Sequence, residues 1–581
     1  MKKLLVYLRE YRKECVLAPL FKLLEAAFEL LVPLVIARMV DVGIKEQNQP
    51  VIIRMGLCLI VLAVVGLVSA VTAQFFAAKA AVGFSTKLRS ALFGHIEGLS
   101  FTDIDQAGTS TMITRMTSDV NQVQSGVNMT LRLFLRSPII VFGAMIMAFT
   151  IDVKMALIFA VAIPVLSVVV FGIMLITMPL YKKVQSALDK VLGITRENLT
   201  GVRVIRAFHQ EETEEGRFQE SNAVLTRLQM FVGKISAVMN PVTYVIVNLA
   251  VIVLIYKGAL NVQTGALTNG QVMAILNYMS QILVELVKLA NLIILMTKAM
   301  ACADRVAGVL EIGGEKESAK PAKSVEKACE TEDYLVFEDV SLKYRGAGEE
   351  TLEQISFRVK KGETIGVIGG TGSGKTSLVN LIPGFYSATD GRILLEGKEI
   401  GSYDEAELRR KMGVVPQKAV LFQGTIRSNL LWGKPDASEE EMWKALELAQ
   451  AREIVEEKEG KLDAKVAQSG RNFSGGQKQR LTIARALIRK PEILILDDSA
   501  SALDYATDAR LRESIGSLKN TMTTVIVSQR ASSIRHADRI LVLEDGQMAG
   551  NGTHEQLLKD CEVYQEIYYS QYPEERGKEG A

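Results

Sequence analysis

The chain has 581 residues, long enough for more than one domain, and 49% of them are hydrophobic, with a positive mean hydropathy that is high for a soluble enzyme. Lys and Arg number 67 against 65 Asp and Glu, a formal net charge of +2, so the overall charge offers no footprint for nucleic acid and no such partner is expected. Cys15, Cys58, Cys302, Cys329 and Cys561 show neither paired nor metal-like spacing and read as free thiols; His95, His209, His536 and His554 are scattered and read as surface or loop histidines.

In chain order, the apolar excess falls in the first half. The runs Ala18 to Val40, Leu57 to Phe76, Ile139 to Phe149, Ala156 to Met178, Val242 to Tyr256 and Val272 to Met296 approach or reach the roughly 20 residues that span a bilayer. Six long transmembrane helices, an all-α membrane domain over residues 1–310, are expected. Basic residues gather before the first run (Lys2, Lys3, Arg9, Arg12, Lys13), between the second and third (Lys79, Lys87, Arg89, Arg115) and between the fourth and fifth (Lys182, Lys183, Arg196, Arg203, Arg206, Arg217, Arg227). The other connections are short and carry few positive charges. By the positive-inside rule the N-terminus, both long loops and the C-terminal half are cytoplasmic, which predicts a multi-pass protein of the cytoplasmic membrane. The basic start leads into a full-length span with no small-residue cleavage site, so no cleavable signal is expected.

The long loops, residues 80–135 and 180–235, have amphipathic helical patterning and few breakers. They predict helices that run on past the membrane by about 25 to 30 residues, or about 40 Å at 1.5 Å per residue, with turning points near Phe101 to Ser110 and Gly201 to Phe208 far enough out to reach a separate cytoplasmic domain. Met145, Met147, Met174, Met178, Met273, Met279 and Met296 suit a pliable pocket for varied apolar ligands and equally suit packing or lipid contact. In the sixth run Asn277, Gln281, Glu285 and Lys288 recur at helical spacing; two alternatives stay open, a cavity lining and a Glu285–Lys288 pair at i, i+3.

Residues 311–333, hydrophilic and rich in Lys, Glu, Gly and Ala, read as a linker. Over 334–570, strands and helices alternate, with strands at Thr364 to Ile368, Ile393 to Leu395, Glu492 to Leu496, Thr524 to Val527 and Ile540 to Leu543, an α/β nucleotide domain with a parallel sheet; 571–581 is a polar tail. The first strand runs into Gly369-Gly370-Thr371-Gly372-Ser373-Gly374-Lys375-Thr376, followed by Ser377. This is a phosphate-binding loop: its glycines let backbone N–H groups face the phosphates of ATP, Lys375 adds positive charge, and the Thr376 hydroxyl suits Mg²⁺. Asp497 ends an apolar strand and suits Mg²⁺ held through water. Phe473-Ser474-Gly475-Gly476-Gln477 precedes a helix expected to begin near Lys478, whose N-terminal N–H groups suit a γ-phosphate.

On these motifs, residues 1 to 560 resemble an ABC exporter half-transporter of the multidrug type, six spans fused to one nucleotide-binding domain. The resemblance implies that Tyr344 stacks on adenine, that Gln417 is the Q-loop residue near Mg²⁺, and that Ser501-Ala502-Leu503-Asp504 is the D-loop. It also implies that Ser474 to Gln477 meet ATP held by the opposite subunit, so the chain dimerises. Two positions depart from the family pattern: Asp498 stands where the family carries glutamate, and Gln529 where it carries histidine. Asp498 holds its carboxylate back by roughly 1.5 Å, and glutamine carries no charge to the γ-phosphate. Together with Gln468 ahead of the signature, these departures match the degenerate half of heterodimeric exporters. The expected function is ATP-driven export of small amphipathic or lipophilic compounds with a second half-transporter as partner. The alternatives are a homodimeric exporter with slow ATPase activity and an ATP-gated channel or regulatory membrane protein.

Overall fold

The computed structural model describes residues 2–313, 333–519 and 521–576; the expected linker lies almost wholly outside them, as does Cys329. The chain divides into two compact units, residues 1–98 with 109–312, and residues 99–108 with 313–581.

The first unit is helical. After a short 3₁₀ stretch it comprises α1 (Arg12–Arg38), α2 (Gln49–Glu97), α4 (Thr109–Thr114), α5 (Val120–Leu133), α6 (Arg136–Ile151), α7 (Val153–Thr200), α8 (Val202–Ala207), α9 (Glu211–Gln263) and α10 (Asn269–Glu311); α3 (Phe101–Ala107) belongs to the second unit. Among the described residues, five runs are long and apolar enough to cross a membrane: Gln49–Glu97, Thr109–Ile151, Val153–Thr200, Glu211–Gln263 and Asn269–Glu311. The expected first span is helical in α1 but is not among them, because Lys22, Glu25 and Glu29 fall inside its apolar stretch. Six spans were expected; five satisfy length and apolarity. The 49 residues of α2 measure about 73 Å at 1.5 Å per residue, more than twice a hydrocarbon core of ~30 Å, so such helices extend well past the bilayer. Local signals set their ends. Asn48 caps α2, with Pro50 in its first turn, and Asp152 accepts from Met155 N at the start of α7. Thr268 and Gln271 form a capping box on α10, where Asp41, in the π-helical turn after α1, accepts from Gly270 N at 2.8 Å and from the Thr268 hydroxyl at 2.5 Å. A Cβ at Gly270 would sit 2.2 Å from the Ala37 carbonyl oxygen, so glycine is what lets α10 approach α1 there.

Glu25 and Glu29 of α1 are answered across the bundle by Arg136 of α6, while Lys22 pairs with Glu25 inside α1. Glu285, 2% exposed, accepts from Arg136 Nη1 at 2.6 Å, from the Ser137 hydroxyl at 2.8 Å and from Lys288 Nζ at 2.8 Å, while Arg136 also meets Glu29 at 2.7 Å and Glu25 at 3.8 Å. Of the two alternatives for Glu285 and Lys288, the pairing is present, and it is one edge of a network joining α1, α6 and α10. Buried charge is tolerated in apolar surroundings where each ion has partners. Arg136 was not singled out from sequence, although a lone arginine at the edge of the third apolar run was a visible signal. Met279 lies in the core with Tyr278, Ile282 and Phe159.

The second unit holds twelve strands: β1 (Asp333–Leu342), β2 (Leu352–Lys360), β3 (Thr364–Gly369), β4 (Asp390–Leu395), β5 (Lys398–Glu399), β6 (Met412–Val415), β7 (Gly424–Thr425), β8 (Lys465–Val466), β9 (Ile493–Asp497), β10 (Thr523–Val527), β11 (Arg539–Glu544) and β12 (Gln547–Gly552). Its helices are α11 (Lys375–Leu381), α12 (Glu405–Arg410), α13 (Ile426–Leu431), α14 (Glu439–Leu448), α15 (Arg452–Glu456), α16 (Gly475–Leu487), α17 (Tyr505–Gly516), α18 (Ala531–Ile534), α19 (His554–Asp560) and α20 (Glu562–Gln571). The main sheet has the order β12-β11-β3-β10-β9-β6 and is parallel except at β12. Every residue of β9 is buried, as expected for a parallel strand covered on both faces. The strand at Ile393 to Leu395 belongs instead to a separate antiparallel sheet, β2-β1-β4-β5, because short hairpin connections favour antiparallel pairing.

Candidate nucleotide site

Parallel register gathers the site. Val527 of β10 pairs with Asp497 of β9 on one side and Val367 of β3 on the other, so three chain segments far apart in sequence leave the sheet at one edge, the carboxyl edge at which open α/β sheets bind ligands. The loop Gly369 to Lys375 follows β3, Asp498 follows β9, and Gln529 lies two residues beyond β10. Backbone bonds lock the edge: Asp498 N donates to Val527 O at 3.0 Å and Ser528 N to Val367 O at 3.1 Å.

In the loop, Gly374 has φ +90° and a Cβ there would lie 2.7 Å from Leu352 Cδ2, whereas a Cβ at Gly370 or Gly372 would meet nothing within 4 Å. Lys375 Nζ donates to Gly369 O at 3.0 Å, Gly370 O at 2.5 Å and the Ser373 hydroxyl at 3.2 Å. Burial pushes the Lys375 ammonium below its usual pKa, opposed by Asp498 and Asp497. The Thr376 hydroxyl donates to Asp497 Oδ1 at 3.2 Å, which sets a hydroxyl and a carboxylate side by side, the hard oxygen donors that Mg²⁺ takes. Burial raises the Asp497 carboxyl, the Thr376 bond works against the rise and Asp498 adds to it. A buried carboxylate of this kind gains most from a cation, so these residues fit Mg²⁺–ATP. Among the described residues no group of three or more His, Cys, Asp or Glu is arranged to hold a metal ion.

Asp498 has φ +44°, a left-handed backbone that aspartate tolerates better than most residues. Its Oδ2 accepts from Gln417 Nε2 at 3.4 Å, and burial raises its carboxyl, against Gln417 and Lys375. Gln529 is exposed. The Tyr344 hydroxyl donates to Ser377 Oγ at 3.0 Å, and its ring meets Tyr386 edge-on at 5.1 Å; Tyr386 was not foreseen, since nothing in its local sequence marks it.

The signature residues lie apart from the Lys375 loop, at the start of α16. That helix begins at Gly475 rather than near Lys478, because Ser474 and Gln477 form a capping box: Ser474 Oγ accepts from Gln477 N at 3.3 Å and Gln477 Oε1 from Ser474 N at 3.0 Å. Gly476 packs on the D-loop, where a Cβ would come within 2.9 Å of Ala502 O. Asp504 caps α17, accepting from Thr507 N at 2.9 Å and from the Thr507 hydroxyl at 2.8 Å; the backbone bond comes first in holding its carboxyl low. Gln468 accepts from Arg471 at 3.1 Å. Two histidines expected at the surface are half-buried and bonded, His95 to the Ile312 carbonyl and His554 to the Tyr564 hydroxyl.

Residues 15–286 match the ABC transporter transmembrane region family and residues 352–501 the ABC transporter family. The chain is 37% identical over its full length to the full length of YfiB, an uncharacterized ABC transporter ATP-binding protein of Bacillus subtilis. It is 31% identical to YgaD of the same organism, over 98% of each chain, a protein whose name proposes multidrug export with an ATP-binding/permease role. Among solved structures, a bacterial Atm1-family ABC exporter with ATP bound has a similar fold, with a TM-score of 0.77 at 23% identity, covering 96% of this chain and 98% of that one. The chain belongs to the ABC transporter family. It is an exporter-type half-transporter, a multi-pass helical membrane region fused to an ATP-binding domain that drives transport.

Proposed function

We propose that this chain is the degenerate half of a heterodimeric exporter that moves amphipathic or lipophilic compounds out across the cytoplasmic membrane. ATP sits on Gly369 to Ser377 with Tyr344 against the adenine, and Mg²⁺ is held by Thr376, Asp497 and Gln417. Asp498 is too short to drive hydrolysis there and Gln529 brings no charge to support it, so that nucleotide acts as a long-lived clamp. Ser474 to Gln477 and Asp504 complete the partner's site, where turnover concentrates. The observation that carries this reading is that Asp498 and Gln529 follow adjacent strands β9 and β10 beside a complete phosphate loop, so both departures fall on one site. General-base and charge-stabilising duties depend on reach and charge, and these two residues lack one each. The class of cargo draws support from the apolar membrane half and the likeness to YgaD.

The test is ATP turnover and oligomeric mass in lipid nanodiscs, for the chain alone and mixed with the product of any ABC half-transporter gene adjacent to its own. The expected result is negligible turnover alone and rapid turnover as a one-to-one complex. Brisk turnover by a homodimer overturns the asymmetric reading, and ATP-gated passive conductance in place of uphill, vanadate-sensitive transport overturns export.

A further inference from the structure

The carboxamide of Gln571, the last residue of α20, brackets the loop that carries Gln529. Its Nε2 donates to the Gln529 carbonyl at 2.8 Å and its Oε1 accepts from Ala531 N at 2.9 Å, so one planar amide holds both sides of the Gln529–Arg530–Ala531 backbone. The helix that presents it is firmly seated: Tyr564 and Tyr568 of α20 are buried with Ile368 of β3, Ala531 and Ile534 of α18, and Ile540 and Val542 of β11. On its other flank the same loop reaches the D-loop, where Arg530 Nη2 approaches Ser501 O at 3.4 Å. No other side chain among the described residues bonds the main chain at both Gln529 and Ala531. Gln571 itself is exposed, so the bracket is not needed to fill the core.

We infer that Gln571 is a positioning residue, through which the C-terminal helix fixes the backbone that aims the residue-529 side chain at the γ-phosphate. The inference rests on Gln529 facing that phosphate and not on the chain having a heterodimeric partner. Two bonds frame this three-residue turn, and releasing them frees the side chain carried on it to shift; a shift of only about 1 Å costs up to ~10²-fold in a chemical step.

The experiment uses the full chain in nanodiscs, with its partner subunit where turnover requires one, and compares Gln571→Met, Gln571→Glu and Gln529→Ala, each made in the Asp498→Glu chain that serves as wild type in this comparison, for fluorescent-ATP affinity, thermal midpoint and single-turnover hydrolysis at this chain's own site. Methionine matches the length and removes both bonds; glutamate keeps the bond from Ala531 N and sets an acceptor against the Gln529 carbonyl. Expected for Gln571→Met is unchanged affinity and midpoint with a single-turnover rate lowered at least about tenfold, on the same geometric argument, and Gln571→Glu lowered as well. A Gln571→Met rate equal to wild type, with Gln529→Ala slowed, overturns the bracket. No change in Gln529→Ala overturns the premise that this residue faces the γ-phosphate, and a loss of affinity and midpoint together with rate in Gln571→Met assigns the residue to stability instead.

Discussion

Replacing Asp498 with glutamate asks whether one methylene is what limits hydrolysis at this site. The Asp498 carboxylate touches Gln417 only at 3.4 Å and its backbone is pinned to Val527 O at 3.0 Å, so the side chain has no slack with which to reach further. Glutamate advances the carboxylate by roughly 1.5 Å. Correcting a misplacement of about 1 Å is worth up to ~10²-fold, or ~2.7 kcal/mol in barrier. The opposing cost is local: φ at 498 is +44°, which glutamate accepts less readily than aspartate, by no more than about 1 kcal/mol. Steady-state turnover and vanadate trapping should therefore rise by one to two orders of magnitude in the Asp498→Glu chain, with ATP affinity unchanged. An unaltered rate, with the protein folded and binding ATP, would refute the argument from reach and place the defect at Gln529 or in the facing signature motif.

Other changes test the surrounding physics. Asp497→Asn removes a carboxylate whose pKa is raised by burial; such a group stabilises the fold below its unfolded pKa and loses that contribution as pH rises through the folded one. The variant should unfold at higher temperature than wild type at neutral pH without nucleotide, the gain fading as the pH falls through the raised folded pKa and gone below about 4, and should lose the upward shift that Mg²⁺–ATP gives wild type. Gly374→Ala places a Cβ 2.7 Å from Leu352 at φ +90°; the left-handed strain of about 1–2 kcal/mol should lower stability and weaken ATP binding in a fluorescent-nucleotide titration. Arg136→Met leaves Glu285 buried without its guanidinium partner from α6 and should cost about 3–5 kcal/mol in chemical unfolding, whereas the double replacement Arg136→Met, Glu285→Met should recover part of the loss.

The sequence alone determined what depends on local pattern. The phosphate loop, the apolar helices and the turning points near residues 101–110 and 201–208, where α3 and α8 lie, all follow from glycine spacing, hydropathy and the lack of breakers. The five clear spans were legible because a bilayer demands long uninterrupted apolar helices. The first was harder: Lys22 pairs locally with Glu25, but Glu25 and Glu29 are intelligible only beside Arg136, more than 100 residues away. The start of α16 was missed because the Ser474–Gln477 capping box overrides the weak helix preference of Gly475 and Gly476. Tertiary structure alone decided that Asp498, Gln529 and the Lys375 loop share one edge, that Tyr386 lies against Tyr344, and that Gln571 reaches the Gln529 backbone. The physical reason is that parallel pairing joins β3 to β10, more than 100 residues later in the chain, with β9 on the far side of β10, and no local propensity encodes which strand ends become neighbours.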